Sequence, residues 1–159
     1  MADCLDEIFK KRISYSGTMF LCKSPDYSPA EPSGHAGRYN GEGTNTYYLG
    51  NSPEACWREI TNANPEADPR DYRMWSISVT GTFIDVGALD GSAYTRPRED
   101  GGWEPGQQLA QRLKDETVYG FQFASQPAKT QGESGTCFCI YQSVKSLVES
   151  EFHSVDWWP

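Results

Sequence analysis

The sequence predicts a single mixed α+β domain in which strands predominate. Three observations carry this. The chain has 159 residues, which fits one domain and leaves little room for two. Hydrophobic residues make up 37% and aromatics 13%, enough for one real core and too much for a disordered chain. Short runs with strand-like character outnumber the stretches with helical spacing.

In order, residues 12–22 (RISYSGTMFLC) read as a strand in which Gly17 interrupts the run. Residues 23–46 are rich in Pro, Gly, Ser and Asn, and long ordered loops of this kind are often functional. Residues 46–50 (TYYLG) form a short strand. Ser52-Pro53-Glu54 starts a helix: Ser52 can cap it, Pro53 suits the first turn and Glu54 suits the dipole. That helix is expected to run to about Thr61, with Asn62, Asn64 and Pro65 ending it. Residues 72–80 and 82–86 alternate as two further strands. After an irregular charged stretch, 106–116 (GQQLAQRLKDE) reads as a helix and 118–124 (VYGFQFA) as a strand ending at Ser125. Residues 136–142 (TCFCIYQ) are a strand, and the amphipathic piece 143–152 is open to a helical reading.

Composition removes several functions. Net charge is -8, so a broad basic surface for nucleic acid is not expected. Five cysteines are scattered without a CxxC pair and only two histidines exist, which argues against a metal site and a disulfide framework. Free thiols in a reducing cytosol are the simplest reading. The N-terminus lacks the apolar run of a signal peptide or membrane anchor. A cytoplasmic site of action is therefore expected, and delivery by a route without a cleavable signal stays open.

Each candidate residue has a functional and an ordinary reading. At helical spacing Ser52, Ala55, Cys56, Glu59 and Ala63 share one face, and Ala and Cys there point it inward. Glu59 then sits on a small apolar stripe, where an unpaired carboxylate is costly. Its ordinary reading is a side chain reaching water near the helix end. Arg38 lies in the Gly-flanked segment Gly37-Arg38-Tyr39-Asn40-Gly41, where a guanidinium fork could grip a phosphate, or simply face solvent. Gly41-Glu42-Gly43 is not a dinucleotide fingerprint. Of Tyr47 and Tyr48, one faces in and the other out. Both could be plain sheet residues. Ser125 lacks a G-x-S-x-G elbow, which leaves a positioning hydroxyl or a turn residue. Trp157-Trp158 reads as a tail folded on the core or as a partner contact.

Taken together and in order, these residues resemble the RES domain family. The matching run is Arg12, then Gly37-Arg38-Tyr39-Asn40, Gly43, Tyr47-Tyr48-Leu49-Gly50 and Ser52-Pro53-Glu54-Ala55-Cys56-Trp57-Arg58-Glu59. Trp103, Leu109-Ala110 and the strand ending in Ser125 extend it more loosely. The family often places an Arg soon after that Ser, where this chain reads Gln126-Pro127-Ala128-Lys129. The resemblance covers a core of about residues 10–142 and leaves 143–159 as a C-terminal extension of one domain.

The resemblance implies an ADP-ribosyltransferase-like fold, a mixed and mainly antiparallel β core with a few flanking helices. It implies a toxin that depletes NAD⁺ by splitting the nicotinamide–ribose bond, with water or phosphate as acceptor. An Xre-type antitoxin or an immunity protein would neutralise it. Arg12, Arg38, Tyr48, Glu59 and Ser125 become the residues to test, with NAD⁺ as substrate, no cofactor and no metal. The chemistry asks for little more. The leaving nicotinamide is already cationic, so the second carboxylate of ordinary glycosidases is dispensable. Arg38, with Arg12 in support, would clamp the diphosphate. Tyr48 would offer an aromatic face. Glu59 would orient the ribose and stabilise an oxocarbenium-like transition state, and Ser125 would hydrogen-bond the carboxamide or ribose. Two other classes stay open at this point: a mono-ADP-ribosyltransferase with a protein target, and a non-catalytic module that binds a partner protein or a second copy.

Overall fold

The computed structural model describes residues 10–33, 45–86, 118–124 and 135–159. Six strands and one α-helix occur among them: β1 (Arg12–Lys23), β2 (Thr46–Gly50), α1 (Pro53–Ala63), β3 (Arg73–Asp85), β4 (Gly120–Ala124), β5 (Thr136–Tyr141) and β6 (His153–Val155).

The strands run in the order β1-β2-β5-β4-β3-β6, and β1 also pairs with β3, so the first five close into a barrel. The β1–β3 ladder is the longest, antiparallel from Arg12↔Ile84 to Lys23↔Arg73. Closure on the other side of β1 rests on one register pair, Phe20↔Gly50. All pairings are antiparallel except β3–β4. The fold is therefore α+β and mainly antiparallel.

Alternation along the strands separates two faces. The inward face carries Met19, Tyr47, Leu49, Ile77, Val79, Phe83, Phe138 and Ile140. Phe83 packs on Phe138 with ring centroids 5.2 Å apart and edge-on to Tyr119 at 5.9 Å, the tilted geometries that aromatic quadrupoles favour. The outward face is polar over β1 and β3, where Ser16 and Thr80 share an exposed hydroxyl hydrogen bond of 3.1 Å. Over β4 and β5 it is apolar and buried, with Phe121, Phe123, Cys137, Cys139 and Tyr141 joined by Ile84, Val86 and Val118.

Two sequence expectations change. Residues 72–80 and 82–86 are one strand, because Gly81 stays in the ladder opposite Tyr15. A Cβ at Gly81 would fall on the Tyr119 ring, so the glycine makes room for an aromatic and does not break the strand. Residues 143–152 hold no α-helix: a turn leads to a 3-10 segment at Glu149–Glu151, and β6 follows, a strand the sequence pattern did not reveal. The apolar spacing there is satisfied by Leu147 and Phe152, which enter the inward cluster. The expected helix at 106–116 lies outside the described residues.

Candidate functional site

The helix α1 forms where its signals stand. Ser52 is extended and its hydroxyl accepts from the Ala55 N–H at 3.1 Å, with Pro53 in the first turn. The Asn64 N–H closes the other end on the Ile60 carbonyl at 2.8 Å. The helix lies against β1, β2 and β5. Ala55 and Cys56 are buried, as their spacing with Glu59 predicted.

Gly50 decides how closely the helix sits. A Cβ there would come 2.9 Å from Cys56 Sγ and 3.3 Å from Ala55 Cβ, so only glycine admits this approach. The Cys56 thiol donates to the Phe20 carbonyl at 3.0 Å, tying the helix to β1 at the barrel's closing pair.

One turn on, Glu59 is half-buried and its Oε1 accepts from the Cys137 thiol at 3.6 Å. Tyr48 stands in the middle of β2, half-buried, directly opposite Cys139 of β5. It packs, together with Tyr141, in the outward cluster around Cys139. Tyr47 takes the inward side: its hydroxyl donates to the Ala30 carbonyl at 3.0 Å and accepts from the Leu147 N–H at 3.4 Å. The Tyr47/Tyr48 choice left open by the sequence is thus settled, with Tyr48 on the outward face.

Cys137 and Cys139 are two apart on β5 and share that face. Glu59 and Tyr48 therefore stand over neighbouring same-face positions, about 7 Å apart along the strand at 3.4 Å per residue. The floor beneath them is apolar: Phe121 lies opposite Cys139 and Phe123 opposite Cys137. Burial pushes the Cys139 thiol up to about 12, against the lowering effect of the two tyrosine hydroxyls, so it is a neutral thiol and no nucleophile at ordinary pH.

Arg12 is placed differently. It opens β1, exposed, at one end of a register row: Arg12–Ile84, Ile84–Phe121, Phe121–Cys139 and Cys139–Tyr48. Four strand spacings separate it from Tyr48, about 19 Å around the wall at 4.8 Å each. The structure sets Tyr48 and Glu59 together and holds Arg12 apart. Arg38 and Ser125 lie outside the described residues. Among the described residues no group of three or more His, Cys, Asp or Glu could hold a metal ion, and no helix is long and apolar enough to cross a membrane.

Cys137 and Cys139, which the sequence offered only among five scattered free thiols, are buried, and each also meets a candidate site residue. Their partners come from strands and helices more than 75 residues away, which no local pattern signals. On the far side of α1, Trp157 folds back onto Trp57 with centroids 6.2 Å apart and donates to Glu54 Oε1 at 3.3 Å. Trp158 stays exposed.

Comparison with known proteins agrees with this architecture. The chain is similar in structure to the MbcT toxin of the Mycobacterium tuberculosis MbcT–MbcA toxin–antitoxin complex, with a TM-score of 0.67 over 96% of this chain and 88% of that one. Identity is 16%, so the likeness speaks to the fold alone. No curated relative matches the sequence. The sequence profile of the RES domain matches residues 12–158, nearly the whole chain. On that match, the chain belongs to the RES domain family.

Proposed function

We propose that this chain is an NAD⁺-degrading toxin that cleaves the nicotinamide–ribose bond, as a glycohydrolase or phosphorylase on an ADP-ribosyltransferase-like barrel. The observation that carries the reading is the pairing of Tyr48 and Glu59 over one apolar floor. Membership of the RES family and the toxin–antitoxin setting of the structural neighbour support the toxin part. By the same reasoning a neutralising antitoxin or immunity protein is the expected partner, and the cytoplasm the site of action.

In this reading the C1′–N bond breaks and its electron pair returns to the nicotinamide ring, which leaves neutral. The ribosyl carbon becomes oxocarbenium-like, and water or phosphate attacks it. Glu59 lies close to an apolar floor, where a carboxylate stabilises developing positive charge better than in water. Tyr48 offers its ring to the nicotinamide or ribose. Arg38 is assigned to the diphosphate and Ser125 to the carboxamide or ribose. Arg12, about 19 Å around the wall, suits only the far end of an extended dinucleotide.

Glu59→Gln keeps the size and removes the charge. NAD⁺ consumption is expected to fall by about 100-fold or more, with the thermal midpoint little changed. Unaltered turnover would remove Glu59 from the chemistry. Adenylate-labelled NAD⁺ reads the acceptor. Free ADP-ribose or its phosphate ester supports the proposal, whereas label on protein points to a mono-ADP-ribosyltransferase. No turnover under any condition leaves a non-catalytic binding module.

A further inference from the structure

The sulfurs of β5 do more than fill space. Cys137 directs its thiol at Glu59 Oε1, and Cys139 stands opposite Tyr48 across the β2–β5 ladder, in the cluster that this tyrosine packs against. A tyrosine hydroxyl stands farther from its own backbone than the neighbouring strand does. The Tyr48 side chain is therefore long enough to reach β5, where it packs on the cluster that includes Cys139. Tyr141 belongs to the same cluster and packs edge-on against Phe121, with centroids 6.1 Å apart. Glu59, by contrast, is a carboxylate on a helix, and its Oε1 meets the Cys137 thiol at 3.6 Å over the apolar floor.

We propose that Cys137 and Cys139 are positioning residues: Cys137 orients the Glu59 carboxylate and Cys139 sets the pose of the Tyr48 ring. The inference rests on the functional reading above and adds a division of labour to it. A group that orients the transition-state carboxylate acts on kcat. One that sets a ring stacked on the bound substrate acts on KM.

The test is steady-state NAD⁺ cleavage by the full chain and four variants, each with its thermal midpoint. Cys137→Ala is expected to lower kcat about tenfold, the value of a modest hydrogen bond to a charged group, with KM within about twofold. Cys137→Ser, which keeps a donor, is expected to restore most of kcat. Cys139→Ala is expected to raise KM about fivefold and leave kcat within about twofold. Cys22→Ala removes a thiol that lines the cavity with Trp57, Tyr72 and Trp157, and is expected to leave both constants unchanged.

Wild-type kinetics in both alanine variants would overturn the proposal, as would a Cys137→Ser protein that regains stability but not kcat. A readout independent of turnover is the infrared S–H stretching band, assigned by its loss in Cys137→Ala. It is expected at the lower frequency of a hydrogen-bonded thiol and to move up in Glu59→Leu. If the wild type leaves NAD⁺ intact, the functional reading fails and this band alone decides the Cys137 assignment. A band that does not move refutes it.

Discussion

Gly50 shows how one side chain, by its absence, places another. The contact it permits brings Cys56 onto β2 and, one turn later, sets Glu59 over Cys137. Gly50→Ala is expected to cost about 1–3 kcal/mol by overpacking against Cys56 and Ala55, read from urea denaturation. Adding Cys56→Ala, which removes the sulfur at 2.9 Å, is expected to return part of that loss. Two single-site losses that merely add would disprove the contact. At this scale the sequence was informative where neighbours on one helix decide the outcome. Ala55 and Cys56 announced the inward face under Glu59 because they share its stripe. It was silent on whether Tyr47 or Tyr48 faces out, since alternation fixes only that they differ. The answer comes from β5, some ninety residues on, where Ile140 meets Tyr47 inside and Cys139 meets Tyr48 outside.

Elements follow the same division. The start of α1 is written locally, and Ser52→Ala is expected to cost about 1 kcal/mol by leaving the Ala55 N–H without its cap, seen as a lower urea midpoint with an unchanged slope. If stability is unaffected, the cap hydrogen bond carries no weight. The β2 boundaries were equally legible, because a run of β-forming residues ends at a glycine and a helix cap. The segment 143–155 was not. Its apolar residues have helical spacing, yet Leu147 and Phe152 are drawn individually into the barrel, and His153–Val155 pairs with Met74–Ser76 of β3. Tertiary contact overrode local preference there, and residues 143–159 serve as wall and plug more than as an appendage.

The whole molecule holds several cysteines as neutral thiols in its interior. Burial raises Cys22, Cys56 and Cys139 from near 9 to about 12. The sign follows from linkage. Folded-state values lie above unfolded ones, so the unfolded chain loses these protons first as pH rises. The stabilisation is fully present below about pH 9 and declines between about 9 and 12. The thermal midpoint is expected to drop steeply between about pH 9 and 12, and less steeply in a Cys22→Ala, Cys56→Ala double variant. A flat profile over that range would contradict buried neutral thiols.

Barrel closure also imposes an order in time. The β1–β3 ladder uses residues made early, but β2 has almost no partner until β5 exists, and Tyr48 has no sulfur to rest on until residue 139 is synthesised. Such non-local pairing is slow and comes late. A nascent chain emerging from the ribosome therefore carries Tyr48 and Glu59 without the strand that aligns them. A chain stopped after residue 135 is expected to leave NAD⁺ untouched and to lack the near-ultraviolet signal of a packed aromatic core. Activity only from completed chains would make assembly itself the first safeguard, acting before any neutralising protein can bind.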